Sequence, residues 1–427
     1  MFIKRIEVRN FKSFDHLDID LGNFNLVIGA NASGKSNFVQ IFRFLRDIAT
    51  RPLEDAISLS GGEFFLNKNI GFSENFFIKV VMMPDELEAD TFIWGLALDY
   101  FWALTSEKEK WKLSEITYQL SLKFSEEDKF HIYEEGLVLK IVPTEEGKKT
   151  WDVEQKEIKM VRKVNEIKTQ FPPEVEIFPE QLIDSDVIFE GYIYIKKELP
   201  SQKLILLSVN TPQGELFKNT FFEKMGIYNI YPTLLKRPVP LEEVSTLKED
   251  GSNLTLAVRE ILKYDKQREK FLRLVRYALP FVSEIDVARF FDQSMLLTLK
   301  EAYLKEPLPS FIISDGTANI LALILALYFN SKDIIIIEEP ERNIHPALIG
   351  KIVEMMKDAS QNKQIIATTH NPELVKHAGL DHLLLVYRDQ HGFSKITKPA
   401  ERETVREFLK GEIGLDDLYV QNLLEVL

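Results

Sequence analysis

The chain has 427 residues, of which 45% are hydrophobic and 28% charged, and it contains no cysteine. This length predicts more than one structural unit with a sizeable core, and the lack of cysteine excludes disulfides, zinc–thiolate sites and cysteine nucleophiles. The formal net charge of −13 argues against a broad nucleic-acid-binding surface. No apolar run reaches the ~20 residues of a membrane span, and the charged start MFIKRIEVRN is unlike a signal peptide. We therefore expect a cytoplasmic protein with no membrane partner.

The amino-terminal part predicts three strands and a helix. Alternating apolar residues indicate half-buried strands around residues 6–8 and 17–21. The uniformly apolar FNLVI (24–28) indicates a central strand that is covered on both faces. After a glycine-containing loop, apolar side chains recur with helical spacing from Phe38 to Leu45. The order is therefore strand, loop, helix.

The middle of the chain predicts antiparallel strands. A strand is expected at 76–81, and the alternation over 116–124 predicts an amphipathic strand with FHIYEEGLVLKI (130–141) as its hairpin partner. GYIYIKKELPSQKLILLSV (191–209) predicts a second hairpin. The charged segment between them, 153–180, leaves helix, strand and mobile insertion open.

The carboxyl-terminal half turns helical after the candidate caps Ser252 and Asn253. Between Arg259 and Arg276 it holds seven lysine or arginine residues against three acidic ones. This basic segment is either a phosphate-contacting stripe or an ordinary solvated helix face. From residue 311 onward, helical patterns alternate with short buried-strand patterns, which is typical of a parallel sheet.

A phosphate-binding loop is the strongest functional signal. GANASGKS (29–36) has the pattern G-x-x-x-x-G-K-[ST] between a strand and a helix, an arrangement that directs backbone N–H groups and a helix N-terminus at phosphate. We expect the Lys35 ammonium to reach the β- and γ-phosphates of ATP and the Ser36 hydroxyl to bind Mg²⁺. The predicted nucleotide-binding residues here are Gly29, Ala30, Asn31, Ala32, Ser33, Gly34, Lys35, Ser36 and Asn37.

Two acidic residues and a histidine follow buried strands. IIIIEEPERNIHP (334–346) places Glu338 and Glu339 at the carboxyl end of an isoleucine strand, where open α/β sheets bind ligands. Glu338 is predicted to hold Mg²⁺, and Glu339 to accept a proton from, or orient, the water that attacks the γ-phosphate. In IIATTHNPEL (365–374), His370 lies at the end of a neighbouring strand, within expected reach of that phosphate. Asn371 is expected to cap a helix that Pro372 opens.

These motifs together resemble one family. NFKSF (10–14), VIGANASGKSN (27–37), SDGT (314–317), IIIIEEPE and ATTHNPEL resemble the RecF/SMC-type ATP-binding-cassette heads, closest to stand-alone bacterial AAA-type ATPases grouped with RecF, OLD and anti-phage defence ATPases. The resemblance covers residues 1–82 and about 245–390. It implies an α/β P-loop NTPase fold, an ABC/SMC-type two-lobed head with a mixed sheet and a helical arm. The implied segments are 1–212 and 285–427 for the two parts of the head and 213–284 for the arm.

The resemblance also implies a shared nucleotide site. Ser314, Asp315 and Gly316 of SDGTAN would form the signature motif, which contacts the γ-phosphate held by a second subunit. ATP would then join two protomers into a homodimer. DNA and a separate effector protein, a nuclease or a toxin, are the candidate partners, because too little chain follows the His370 strand for an appended nuclease domain.

The sequence departs from the cassette pattern at three points. Glu338 stands where many cassette ATPases carry Asp, His345 stands where their D-loop usually ends in Asp, and no Q-loop residue can be assigned, since Gln40 lies too close to the phosphate loop. Two functions remain open: an ATP-gated sensor or scaffold in phage defence or DNA repair, and the ATPase subunit of a membrane transporter. The strand with NFKSF and the missing Q-loop favour the first.

Overall fold

The computed structural model describes residues 1–84, 111–126, 130–143, 156–163, 166–170, 187–189, 192–196, 224–242, 246–405, 414–421 and 423–426. The chain divides into two compact units. One comprises residues 1–21, 37–224 and 388–396, and the other comprises residues 22–36, 225–387 and 397–427. The second arm of the hairpin predicted over 191–209 lies outside the described residues.

The described part of the chain contains both strands and helices. The strands are β1 (Phe2–Phe11), β2 (Phe14–Asp20), β3 (Phe24–Ile28), β4 (Phe76–Met83), β5 (Trp111–Phe124), β6 (Phe130–Pro143), β7 (Lys156–Lys163), β8 (Glu166–Gln170), β9 (Val187–Phe189), β10 (Tyr192–Lys196), β11 (Met225–Tyr228), β12 (Val239–Pro240), β13 (Val282–Arg289), β14 (Ser294–Glu301), β15 (Leu308–Pro309), β16 (Ile334–Glu338), β17 (Gln364–Thr368), β18 (Leu383–Arg388) and β19 (Ser394–Thr397). The α-helices are α1 (Lys35–Thr50), α2 (Leu53–Leu59), α3 (Pro232–Leu235), α4 (Leu254–Leu262), α5 (Asp265–Ala278), α6 (Asp315–Tyr328), α7 (Pro346–Ala359), α8 (Pro372–Ala378), α9 (Leu415–Val420) and α10 (Leu423–Val426). Short 3₁₀ turns lie at Gly62–Phe64, Gly71–Ser73, Phe291–Gln293, Leu380–His382 and Pro399–Glu401.

The first unit contains a nine-stranded sheet in the order β2-β1-β4-β5-β6-β7-β8-β10-β9. Its neighbouring strands are antiparallel, which confirms the strands predicted from alternating apolar residues. The segment 153–180, left open by its sequence, contributes β7 and β8. An aromatic group packs edge to face beneath the first strands, with ring centroids about 5 Å apart in the contacts of Phe65 with Phe11 and Phe44.

The second unit is built on parallel strands in the order β11-β16-β17-β3-β18. All residues of β3 and β17 are buried, as expected for strands covered on both faces. The apolar helix α6 is buried along almost its whole length, so it is a core helix rather than a membrane span. A smaller sheet of β12, β13, β14 and β15 completes the described strands.

Helices α4 and α5, which fall in the predicted arm 213–284, share a core with α6 and α7 through Val258, Phe271 and Val275. The segment boundaries themselves stay predictions. Asn253 precedes α4 as expected, but its side chain does not cap the helix. Instead its Oδ1 accepts a hydrogen bond from the Lys248 N–H at 2.7 Å, so it fastens the preceding turn.

Strand register brings three functional segments to one edge of the parallel sheet. Glu338 at the end of β16 is level with Thr368 of β17, and Thr368 is level with Val27 of β3. The chain leaves all three strands at this edge, into the phosphate loop, the residues after Glu338 and the His370 turn. This is the carboxyl end of the parallel strands, where ligands bind in such sheets.

Candidate active site

The phosphate loop has a backbone that only particular residues tolerate. Gly29, Ala32 and Gly34 have positive φ values of 151°, 62° and 123°, and a Cβ on Gly29 would lie 2.1 Å from the Val386 carbonyl oxygen. Glycine is therefore required at position 29 by both conformation and space. The loop ends where α1 begins, at Lys35, so the helix N-terminus faces the loop as a phosphate site needs.

Lys35 is half-buried and bonded within the loop. Its Nζ donates to the carbonyl oxygens of Gly29 at 2.6 Å and Ala30 at 2.9 Å. Burial lowers the pKa of Lys35 below its ordinary value, while the carboxylates of Glu339 and Glu341 act in the opposite direction. The carboxylates of Glu339 and Glu341 are thus close enough to Lys35 to interact with its ammonium group electrostatically.

Asn37, the last predicted residue of the loop, already has a partner. Its Nδ2 donates to the Ser13 hydroxyl at 2.8 Å, and that hydroxyl also lies 2.8 Å from the Ser394 hydroxyl. The structure therefore gives Asn37 an anchoring contact, and its predicted contact with the nucleotide stays a prediction.

Glu339 and His370, which follow the neighbouring strands β16 and β17, are in direct contact. The Glu339 Oε1 and His370 Nδ1 atoms lie 3.1 Å apart. Glu339 has a left-handed backbone, with φ of 49°, and its N–H donates to the Thr368 carbonyl at 2.9 Å. Non-glycine residues in this conformation concentrate at functional sites, where surrounding contacts hold them.

Arg342 is a site residue that sequence reasoning missed. Its Nη2 donates to the Glu339 Oε2 at 3.0 Å, and its Nη1 donates to Asn229 Oδ1 at 3.2 Å and to the Ile230 carbonyl at 3.0 Å. Its guanidinium also lies over the Tyr231 ring, 5.6 Å from the centroid. Arg342 therefore ties Glu339 to the residues that follow β11. The only sequence signal is a cation three residues after an acid.

Glu341 is a buried acid beside the same site. It is 7% exposed, its Oε1 accepts from the Thr369 hydroxyl at 2.5 Å, and its Oε2 is buried without a hydrogen-bond partner. Burial is the main cause that raises the pKa of Glu341. The Thr369 hydroxyl in turn accepts from the Asn371 N–H at 2.9 Å, so Glu341 supports the turn that carries His370.

The SDGTAN segment is a capped helix start. Ser314 is exposed, and its Oγ accepts from the Thr317 N–H at 3.1 Å as the N-cap of α6. Asp315 forms an ion pair with Lys236 at 2.7 Å. A Cβ on Gly316 would lie 2.5 Å from the Asn343 carbonyl oxygen, so the helix start packs directly on the loop after Glu339.

His345, an unexplained departure from the cassette pattern, has a structural role. It is the N-cap of α7, where its Nδ1 accepts from the Ala347 N–H at 3.2 Å and Pro346 is the first helical residue. An aspartate at this position could accept the same hydrogen bond. The predicted start of α8 is confirmed, with Asn371 as the N-cap and Pro372 as the first helical residue.

The site residues fit Mg²⁺ and ATP by their chemistry. No group of three or more His, Asp or Glu side chains capable of holding a metal occurs among the described residues. Mg²⁺ commonly uses one or two protein oxygens together with water and substrate phosphates, and the Ser36 hydroxyl and the Glu338 carboxylate are such oxygens. The half-buried Lys35, in a loop whose backbone is conformationally fixed, fits a polyphosphate.

Comparison with known proteins shows a similar fold. At the level of the fold, the chain is similar to a solved structure described as the SmcHead bound to the C-winged helix domain of ScpA. The TM-score is 0.51 and the identity 12%, over 93% of this chain and 98% of that chain. Among the described residues, no helix has both the length and the apolar character needed to span a membrane.

Curated relatives match over short stretches. The Septu protein PtuA of Bacillus thuringiensis is 28% identical over 102 residues, 22% of this chain and 26% of that protein. The DNA replication and repair protein RecF of Desulforudis audaxviator is 38% identical over 65 residues, 15% of this chain and 18% of that protein. The chain thus covers about a quarter or less of these relatives' lengths. The model of the AAA ATPase domain family, by contrast, matches residues 1–375, and the protein therefore belongs to the AAA ATPase domain family.

Proposed function

We propose that the protein is an ATP-binding and ATP-hydrolysing switch of the RecF/SMC type that dimerises when it binds ATP. The observation that carries this proposal is the meeting of separately predicted motifs at one sheet edge. The phosphate loop, Glu338 and Glu339, and His370 follow three aligned parallel strands, and Glu339 contacts His370 directly. A set of phosphate-binding and acid–base groups at such an edge suits phosphoryl transfer to water.

Each residue has a distinct part in the proposed reaction. Lys35 offsets the charge of the β- and γ-phosphates, and Ser36 and Glu338 hold Mg²⁺, which supplies further charge neutralisation when bound. Glu339 orients the attacking water and accepts its proton, and His370 contacts the γ-phosphate. In the structure Glu339 lies between His370 and Arg342. A γ-phosphate that contacts the His370 side chain would compete with Glu339 for that side chain. The Oε1 atom of Glu339 would then be released from His370 and could accept a hydrogen bond from water.

The segment Ser314 to Gly316 is the part of the chain to which we assign ATP-dependent dimerisation. Ser314 is exposed at the N-terminus of α6, and a helix N-terminus with an exposed hydroxyl is suited to contact phosphate. We assign this contact to the γ-phosphate held by a second copy, so that each site combines the loop of one protomer with Ser314, Asp315 and Gly316 of its partner. ATP then favours the dimeric state by binding across it.

The biological setting that we propose is phage defence or DNA repair in the cytoplasm, with DNA and a separate effector, a nuclease or toxin, as partners. The stretches of similarity to the Septu protein PtuA and to RecF support this setting. The alternative is the ATPase subunit of a membrane transporter. Co-purification with a membrane subunit would favour that alternative.

A mixing experiment tests the shared site. Lys35→Ala should lose ATP binding in equilibrium dialysis, because it removes the charge that offsets the triphosphate. Ser314→Arg should retain ATP binding and lose both hydrolysis and ATP-induced dimerisation, since the bulky cation blocks closure on the partner. In a mixed dimer of the two variants, one site carries both defects and the other carries none. ATPase activity should therefore return when the two inactive proteins are mixed.

Two results would contradict the proposal. Tight ATP binding by Lys35→Ala would show that residues 29–36 are not the phosphate loop. Parental hydrolysis by a monomeric Ser314→Arg protein would show that this turn only caps α6, and the shared site would have to be abandoned.

A further inference from the structure

Asn319 is a buried polar residue in an otherwise apolar helix. It is 2% exposed and lies on α6, in the second turn after the Ser314 cap. Its Nδ2 donates to the Pro340 carbonyl at 3.2 Å and to the Arg342 carbonyl at 2.9 Å. A buried amide is costly unless it is bonded, and here both bonds go to the loop that carries Glu339.

That loop needs external support. Glu339 and Asn343 both have positive φ values, 49° and 60°, a conformation that non-glycine residues keep only when their surroundings fix it. The two carbonyl groups that Asn319 bonds lie between these two residues in the chain. Asn319 therefore holds the part of the loop that joins the two left-handed residues.

The start of the same helix contacts the same loop. The Asn343 Nδ2 donates to Asp315 Oδ2 at 3.3 Å, and the close approach of Gly316 to the Asn343 carbonyl leaves no room for a side chain. The start of α6, Asn319 and the loop from Glu339 to Asn343 are thus in direct contact within one chain.

We propose that Asn319 is a positioning residue for Glu339 of its own chain, on which it acts through the loop between Glu339 and Asn343. This inference rests on the proposed function, in which Ser314 contacts the nucleotide of the partner.

The test variant is Asn319→Leu, which keeps the number of side-chain heavy atoms and the branched shape and removes both hydrogen bonds. Its ATP binding should equal that of the parent, because the phosphate loop is untouched. Its rate of hydrolysis should fall by about ten- to a hundredfold, the scale of a displaced catalytic group. Glu339→Gln is the reference variant, since it impairs the same site directly.

Mixed dimers separate a role in the protomer's own site from a role in the partner's site. Mixed with Lys35→Ala, Asn319→Leu should stay inactive: one site lacks Lys35, and the other uses the displaced Glu339. Mixed with Ser314→Arg, it should regain activity, because the intact Glu339 of the Ser314→Arg chain is paired with the intact signature of the Asn319→Leu chain. Glu339→Gln should give the same pattern in both mixtures.

Other patterns overturn the proposal. Parental hydrolysis by Asn319→Leu alone, or recovery with Lys35→Ala instead of Ser314→Arg, would each show that Asn319 does not position its own Glu339. If Asn319→Leu shows no ATPase activity in either mixture, Asn319→Ala is tested in the same way. If neither variant recovers activity in either mixture, Asn319 has a role in folding only. The mixture of Ser314→Arg with Lys35→Ala is the control. If this control stays inactive, it is the shared-site function that fails.

Discussion

Glu339 combines a left-handed backbone with two partners for its carboxylate, His370 and Arg342. Each of these contacts restricts where the carboxylate can lie. A general base is effective only within hydrogen-bond reach of the proton that it removes. At the scale of single residues, the candidate site is therefore defined by the contacts that hold Glu339 as much as by Glu339 itself.

Glu339→Gln should bind ATP like the parent and hydrolyse it at least about a hundredfold more slowly, the scale of losing one positioned acid–base group. Because hydrolysis would end the dimeric state, this variant should accumulate a dimer with ATP and Mg²⁺, visible by light scattering. Glu284→Gln is a matched control, as Glu284 is an exposed acid outside the site. Unimpaired hydrolysis in Glu339→Gln would move the catalytic role to Glu338 or Glu341.

Glu341→Gln should change the pH dependence of stability. Burial raises the pKa of Glu341, so the folded state disfavours its ionised form. The resulting penalty is absent below the pKa of the unfolded chain, grows as the pH rises from that value toward the raised folded pKa, and is constant above it. The melting temperature of Glu341→Gln relative to the parent should therefore increase as the pH rises above about 4.3, the ordinary carboxyl pKa of glutamate, and then level off.

Asp18→Asn is a control whose stability relative to the parent should change with pH in the opposite direction. A hydrogen bond and the positive charge of Arg5 lower the pKa of Asp18, so Asp18 stabilises the fold above its unfolded pKa and this contribution is lost as the pH falls. Relative to the parent, Asp18→Asn should become less stable as the pH rises. A flat difference for Glu341→Gln would show that its buried carboxyl carries no such penalty.

At the scale of elements, helix α6 serves two purposes. It fills the core with apolar side chains, and its first turns, from Ser314 to Asn319, contact the Glu339 loop. The polar residues of SDGTAN are thus confined to the end of the helix that contacts this loop. One element therefore links core packing to the candidate active site.

Gly316→Ala tests the packing of that helix start. Alanine favours a helix over glycine by about 1 kcal/mol, but here its Cβ would meet the Asn343 carbonyl oxygen at 2.5 Å. Overpacking of this kind costs about 1–3 kcal/mol, so we expect lower stability in urea unfolding together with slower hydrolysis. Gly22→Ala is the control, since its Cβ would make only ordinary contacts from 3.7 Å. Equal effects of both substitutions would contradict a tight contact at Gly316.

Local patterns predicted the elements better than the contacts between them. FNLVI was sufficient to predict β3, and Asn371 was sufficient to predict the start of α8, because burial on both faces and capping are encoded within a few neighbouring residues. The bonds of Arg342 to Asn229 and of Asn319 to the Pro340 carbonyl join residues far apart in sequence. These hydrogen bonds depend on how strands and helices pack, which no local sequence pattern predicts.

At the scale of the whole molecule, the net charge of −13 is not spread evenly. On α5, Lys266, Lys270 and Arg273 are exposed and follow one another at the i, i+4, i+7 spacing of a single helix face. We call these three residues the α5 stripe. Two other members of the basic segment are engaged, since Lys263 pairs with Glu260 at 2.6 Å and Arg276 donates to the Ser283 carbonyl at 2.8 Å. Within the stripe, the Lys270 ammonium also lies 5.4 Å from the centroid of the Phe329 ring.

We predict that the α5 stripe is where DNA would contact the protein. Changing Lys266, Lys270 and Arg273 to Glu should abolish salt-sensitive DNA binding, measured by fluorescence anisotropy with ATP present, and leave basal ATPase activity unchanged. For every DNA phosphate that the protein no longer neutralises, the slope of log affinity against log salt should become shallower by about 0.9 for duplex DNA.

The matched control changes three other exposed cations, Arg51, Lys123 and Lys305, to Glu. It alters net charge equally, so a general charge effect would weaken binding as much as the stripe variant does. Either that result or a parent protein without salt-sensitive DNA binding would refute the prediction, and the stripe would then be an ordinary solvated helix face.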